Sequence, residues 1–275
     1  MRVESSRWPL AATAAVLAAM LSATPAFTQC GLLSWDDYRA ARHPLPYVLR
    51  LASSGELLMF GVRHTRNPRD PQIQEIERHW REIRPQIAFS EGGIRPDSAT
   101  ADEAVTRFGE PGLLRFLADR DHVELRSLDP AEDREAAALV PQFPPGQVKL
   151  FYFLRNLADS ASDGRTLEER QRSALESVRH RQRLAGSPNS LKEIDALLAR
   201  LLPQLQNPRS IPQQWFDPSR SDNFLNQISR SSSDFRNCHM APLIVSAVRS
   251  GKRVFVLVGG SHVVILEPAI RSALH

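Results

Sequence analysis

Four short runs of aliphatic, β-branched and aromatic residues predict the strands of a sheet. They lie at Glu56–Phe60, Gln86–Ser90, His122–Leu128 and Arg253–Val258. The first, second and fourth runs are apolar and end at a glycine or an acid, as strands buried on both faces do. Strands of this kind belong to sheets that are covered by helices, and the pattern therefore predicts an α/β fold.

Amphipathic helical patterns lie between these strands. Isoleucine and tryptophan recur at spacings of three and four in Pro71–Arg84, which Asp70 precedes as a cap. Glu110–Asp121 repeats the pattern with leucines, and Leu167–Leu184 and Leu191–Leu205 predict two long helices.

The order of these elements predicts one domain over residues 27–275. Its sheet, parallel or mixed, is built from both ends of the chain, and a helical insertion occupies about residues 147–230, where no strand is predicted. Ser233–Val248 predicts a helix before the last strand, and a closing helix is expected from Ser261 onward.

Two near-identical turns are the strongest chemical signal. Gly61 is followed three residues later by His64, and Gly259 by His262, each time directly after an apolar strand. A glycine at a strand end lets the backbone turn sharply or approach a ligand, and ligands bind at the carboxyl ends of strands in α/β sheets. One such turn alone is more often an exposed histidine than a site. The repetition in the same context favours function.

Glu91 adds a carboxylate at the end of the second buried strand. With His64 and His262 it would supply three protein ligands to a divalent ion with an open coordination position, of the Mn, Co or Zn type. The simpler alternative is a carboxylate that caps the following turn. A further alternative is a non-metal esterase that uses a histidine and a glutamate as acid and base.

These motifs resemble the TraB/PrgY/GumN family, which includes the Tiki proteins and belongs with the erythromycin-esterase/ChaN-like superfamily. Arg236-Asn237 with Met240-Ala241 is similar to that family's Arg-Asn…Met-Ala helix. Ser127 to Pro130 is similar to its Ser-Leu-Glu-Pro segment, with Asp129 where glutamate is usual, and Gly260 is a second departure. The resemblance covers roughly residues 55–140 and 230–270.

The resemblance implies a divalent-metal-dependent hydrolase that cleaves a peptide or an ester. His64, Glu91 and His262 would hold the ion, Glu91 or Asp129 would act as base, and Arg236 would steady the charged intermediate. Gly61 and Gly259 would line the cofactor site. The alternative is a ChaN-like protein that binds haem or another ligand without turnover, in a pocket to which the apolar side chains of the insertion contribute, namely Leu150, Phe151 and Phe153.

The N-terminal segment predicts export. Arg2 and Arg7 precede a short apolar run, Pro9–Leu21, and small residues before Phe27 offer a cleavage site, so that residues 1–26 are expected to be a signal peptide. The mature protein would be periplasmic or secreted, with no stable membrane span. Cys30 and Cys238 form an even pair in an exported chain and are available for a disulfide bond.

Charge argues against a nucleic-acid partner. The formal net charge is +4, but basic and acidic residues are interleaved along the chain instead of forming a basic stripe. The expected partner is a peptide or small-molecule substrate.

Overall fold

The computed structural model describes residues 30–159, 164–181, 188, 190–205 and 211–275. The expected signal peptide, residues 1–26, lies outside the described residues. Within them, no helix is long and apolar enough to cross a bilayer.

The described residues form a mixed five-stranded sheet. Its strands are β1 (Tyr47–Ala52), β2 (Glu56–Val62), β3 (Ile87–Ser90), β4 (Glu124–Ser127) and β5 (Arg253–Gly259). Their spatial order is β1-β2-β5-β3-β4, with β1 antiparallel to β2 and the other neighbours parallel. The last strand of the chain therefore lies in the middle of the sheet, as a sheet built from both ends of the chain requires, and the predicted α/β class is confirmed.

The sequence pattern missed β1, which is an edge strand with only one fully buried residue, Leu49. It also extended β4 by two residues at its start and one at its end, because the alternating exposure of β4 gives a weak apolar signal.

The helices cover both faces of this sheet. They are α1 (Trp35–Ala40), α2 (Pro71–Ile83), α3 (Ala101–Phe108), α4 (Glu110–Arg120), α5 (Glu132–Leu139), α6 (Pro145–Asp159), α7 (Leu167–His180), α8 (Leu191–Leu201), α9 (Phe224–Arg249) and α10 (Gly260–Leu274), with a 3₁₀ turn at Gln213–Phe216. The helix predicted to start at Ser233 is the second part of α9, which begins nine residues earlier. The cap predicted at Asp70 is confirmed, since its carboxylate accepts from the backbone N–H of Gln72.

Three apolar clusters explain this arrangement. On one face of the sheet, Ile76 and Trp80 of α2 pack with leucines of α4 against Phe60. On the other face, α9 and α10 cover β2 and β5. Because each strand residue points to the face opposite its neighbour's, both faces of β2 and β5 need apolar side chains.

The third cluster is the core of the predicted helical insertion. The described residues of the insertion contain the three helices α6 to α8 and no strand. Leu150, Phe151 and Phe153 are at most 1% exposed and pack with α7, α8 and α9. They are core residues and do not line the crevice described below.

A disulfide bond joins Cys30 to Cys238 in α9. A hydrogen bond from the indole of Trp35 to Asp234, with donor and acceptor 2.6 Å apart, adds a second link between the start of the described chain and α9. The segment before β1 is thereby held against the helix that carries Arg236 and Asn237.

Candidate active site

The sheet brings the three predicted residues to one edge. β2, β5 and β3 are neighbouring parallel strands, so their carboxyl ends meet at the same side of the sheet. His64 follows β2, Glu91 follows β3 directly, and His262 lies in the first turn of α10, which follows β5 without a loop.

Gly259 lies at the centre of these side chains. A Cβ atom at this position would stand 3.4 Å from Nε2 of His64, 3.6 Å from Oε2 of Glu91 and 3.6 Å from Cδ2 of His262. The missing side chain therefore leaves a space that all three groups border. Gly61 has a different role, because a Cβ there would be 2.8 Å from the Cα atom of Gly260. Its small size allows β2 to pack closely on α10, and it does not line the crevice described below.

Glu91 is held on both carboxylate oxygens. Its Oε1 accepts from Nη2 of Arg236 at 2.9 Å and lies 3.2 Å from Nε2 of His262, and its Oε2 accepts from the backbone N–H of Gly259 at 2.9 Å. Burial alone would raise the pKa of Glu91. The positive charges of His262 and Arg236, together with these hydrogen bonds, outweigh burial and hold that pKa well below its usual range. Glu91 is therefore an ionised carboxylate.

His262 is oriented from behind by a residue of α9. Its Nδ1 is 2.7 Å from Oδ1 of Asn237, and both side chains are buried. An amide oxygen accepts only, so Nδ1 carries a proton, while Nε2 faces the ionised Glu91. Nε2 of His262 therefore lies opposite a negatively charged carboxylate oxygen of Glu91, 3.2 Å away.

Arg236 connects two carboxylates. Its Nη2 donates to Oδ1 of Asp129 at 2.6 Å as well as to Glu91, and its side chain is only 11% exposed. Burial lowers the pKa of Arg236, but the surrounding carboxylates Glu91, Asp129 and Glu135 outweigh it and raise that pKa. Asp129 is not part of the crevice wall, so it positions Arg236 instead of meeting a substrate as a base.

His64 stands at the mouth of the site with a buried carboxylate beside it. Its side chain is 73% exposed, and its Nδ1 lies 3.8 Å from Oε2 of Glu110, whose side chain is only 2% exposed. The other oxygen of Glu110 accepts from the backbone N–H of Thr65 at 2.7 Å and from Nε2 of Gln72 at 3.1 Å. The imidazole thus has a carboxylate on its Nδ1 side and the space beside Gly259 on its Nε2 side.

Glu110 is a site residue that sequence reasoning missed. It opens α4, where an acidic residue is ordinarily explained by the positive end of the helix dipole. The one available signal was its position between Gly109 and Pro111 at the start of a predicted helix, and nothing local links that position to His64. Asn237 belongs to the segment that is similar to the Arg-Asn…Met-Ala helix, but its sequence position indicates no role for it.

A crevice of about 910 Å³ opens over this arrangement. His64, Glu91, Arg236 and Gly259 line it, whereas His262 contacts Glu91 and is not part of the lining. Among the described residues, no group of three histidine, cysteine, aspartate or glutamate side chains is arranged to hold a metal ion.

The expected metal ligands fit an ion by donor type but not by arrangement. Two imidazoles and a carboxylate are suitable ligands. However, Glu91 is already engaged by Arg236, His262 and the backbone N–H of Gly259. An ion held by all three side chains would compete with these partners for the oxygens of Glu91.

Comparisons with protein-family models, with curated proteins and with solved structures give no match to this chain.

Proposed function

We propose that this protein is a hydrolase of ester or amide bonds in which a His–Glu pair activates water. The observation that carries the proposal is the position of His64 between the buried carboxylate of Glu110 and the crevice. At 3.8 Å the Glu110 carboxylate lies beyond hydrogen-bond distance of Nδ1, but its negative charge stabilises an imidazolium on His64. Nε2 of His64 then takes a proton from the nucleophile. The motifs of the TraB/GumN type support the same reaction class.

In this mechanism, water attacks the carbonyl carbon while its proton passes to Nε2 of His64. The tetrahedral oxyanion is stabilised by positive charge at the crevice floor, where Arg236 lies and where α10 begins with no side-chain cap on its first N–H groups. When the intermediate collapses, His64 returns the proton to the leaving group. Glu91 orients the water, because its carboxylate can accept only and borders the same space as His64.

No step in this scheme passes through a metal ion. A Mn, Co or Zn type ion held by His64, Glu91 and His262, as expected from the sequence, would have to compete with Arg236 and Gly259 for the oxygens of Glu91. Residues 1–26 support the further proposal that the reaction takes place outside the cytoplasm.

Hydrolysis assays on purified protein test the proposal. We expect turnover of 4-nitrophenyl esters or fluorogenic peptides that His64→Ala lowers by about 100-fold or more, since general-base catalysis contributes about 10² to 10⁴. His180→Ala is the matched control, because this exposed histidine lies on α7 in the insertion. Equal activity of wild type and His64→Ala would contradict the proposal.

Treatment with a chelator distinguishes the metal-free mechanism from the metal-dependent one. We expect activity to persist after treatment with EDTA and dialysis. Loss of activity that Mn²⁺, Co²⁺ or Zn²⁺ restores would instead support the metal-dependent version.

A further inference from the structure

The crevice wall has an excess of positive charge. Among the titratable side chains in its lining, two are carboxylates, Glu91 and Glu110, and four are guanidinium groups: Arg66, Arg95, Arg155 and Arg236. Both carboxylates are already engaged, Glu91 by Arg236 and Glu110 by Thr65 and Gln72. The remaining arginines come from three separate elements, so the charge is not explained by one solvated helix face.

Arg66 and Arg95 have no carboxylate of their own. No described acidic side chain lies within ion-pair distance of either one, and neither has a further interaction within the described part of the chain. The Nε atom of Arg95 is buried without a hydrogen-bond partner there. A buried donor left in this state costs free energy unless a ligand supplies an acceptor.

The loop after β3 is shaped to bring Arg95 over the site. Gly92 has φ +82°, and a Cβ at this position would be 2.9 Å from Nη2 of Arg95. A larger residue in place of Gly92 would be strained and would displace the guanidinium. Gly92 and Arg95 both line the crevice next to Glu91.

We propose that the substrate is an anion, with a carboxylate or phosphate group that Arg66 and Arg95 bind while the scissile bond lies at His64. Guanidinium groups bind both anions through paired hydrogen bonds and remain charged at every relevant pH. Arg155, from α6, also lines the crevice but already has contacts of its own, so the anion site rests on Arg66 and Arg95. The inference rests on the proposed hydrolase function, because it names the substrate class of the same site.

Binding and turnover are tested separately with a matched pair of variants. The first is the double variant Arg66→Gln/Arg95→Gln. The control is Arg172→Gln/Arg179→Gln, which removes the same charge from the exposed face of α7, where both arginines pair with glutamates. Neither variant alters Glu91, His64, Glu110 or Arg236.

The binding test uses succinate, inorganic phosphate and the uncharged analogue succinamide, titrated by calorimetry at low ionic strength. We expect wild type and the control to bind at least one anion at least about tenfold more tightly than succinamide, and the first variant to lose this preference. Added salt should weaken the binding, because Arg66 and Arg95 are partly exposed to solvent and their charges are screened by ions. Binding of succinate alone assigns a carboxylate and binding of phosphate alone a phosphate. No anion preference in wild type, or an equal loss in the control, would overturn the inference.

The turnover test compares mono-4-nitrophenyl terephthalate, whose carboxylate cannot reach its own ester carbonyl, with 4-nitrophenyl benzoate. We expect a preference of at least about tenfold in kcat/KM for the anionic ester, which disappears in Arg66→Gln/Arg95→Gln through a higher KM at similar kcat. Anion binding without hydrolysis of either ester would contradict the hydrolase function but support the anion site. Hydrolysis of both esters with equal kcat/KM would contradict the anion site but support the hydrolase function.

Discussion

Nδ1 of His262 and Oδ1 of Asn237 lie 2.7 Å apart in a buried hydrogen bond between α10 and α9. The bond places the proton of Nδ1 on the side of Asn237 and directs Nε2 at Glu91, 3.2 Å away. Contacts therefore connect Asn237 of α9 through His262 to the carboxylate of Glu91 in the crevice. A substitution at Asn237 should lower the rate of the reaction, although Asn237 does not contact the substrate.

Asn237→Leu tests this relationship. The apolar side chain leaves the Nδ1 proton of His262 without an acceptor, and we expect kcat/KM to fall by about 10- to 100-fold, the range typical of losing a group that orients a histidine. Asn237→Asp keeps an acceptor oxygen and should retain most of the activity. Nitrogen-15 NMR of His262 should show a proton on Nδ1 in wild type, and a ring protonated on Nε2 alone would contradict the assignment.

Glu110→Gln should lower activity through His64. The amide no longer stabilises an imidazolium on His64, so we expect kcat to fall by about 100-fold with little change in KM. Its oxygen can still accept from Thr65, which should preserve the fold. Glu103→Gln, on the exposed side of α3, provides the control in the same assay. Unchanged kcat in Glu110→Gln would remove the His–Glu pair from the mechanism.

Gly259→Ala should block the site without unfolding the protein. The backbone of Gly259 has φ −56° and ψ 143°, which alanine adopts readily. Its methyl group would occupy the space between His64 and Glu91, at 3.4 Å and 3.6 Å from their nearest atoms. We expect a loss of kcat/KM of about 100-fold or more with a melting temperature close to that of wild type. Gly146→Ala in the first turn of α6 is a control that should leave activity intact.

The free energy of unfolding should fall as the pH is lowered, because Glu91 becomes protonated. Its pKa is depressed in the folded protein, so its contribution is complete above the unfolded value of about 4.3 and is lost as pH falls toward the folded value. Within that window, ionisation of Glu91 accounts for a loss of up to about 1.4 kcal/mol per pH unit. Chemical unfolding of wild type and Glu91→Gln from pH 7 to pH 3 measures this difference, which should shrink as the pH falls. A difference independent of pH would show that Glu91 stabilises the fold by packing alone.

The disulfide bond should stabilise the fold and the position of α9. Cys30 and Cys238 are 208 residues apart in the sequence. Loss of such a crosslink typically lowers the free energy of unfolding by about 2–5 kcal/mol. We expect Cys30→Ser/Cys238→Ser to unfold at lower denaturant concentration than wild type. Wild type should shift to the same midpoint in the presence of a reductant. Coincident unfolding curves would show that the Trp35–Asp234 contact and the surrounding packing suffice.

Several features of the fold follow from the sequence alone, since they depend on local patterns. Continuous apolar runs predict β2, β3 and β5, because a strand buried on both faces has no position for a polar side chain. The position of His64, Glu91 and His262 directly after those runs predicts that they share an edge, since the carboxyl ends of neighbouring parallel strands meet there. Asp70 before Pro71 predicts the start of α2 from cap chemistry that needs no tertiary contact.

The tertiary structure decided how those parts combine. The place of β5 between β2 and β3 depends on pairing between strands about 170 to 200 residues apart, which no local pattern encodes. Glu110 and Asn237 belong to α4 and α9, and each becomes a partner of a site histidine only when its helix packs on the sheet. The arrangement that disfavours a preformed metal site also arises in this way, because Arg236 meets Glu91 across 145 residues of chain. Local periodicity fixes which residues face the core, whereas the charge partners of a buried carboxylate depend on long-range packing.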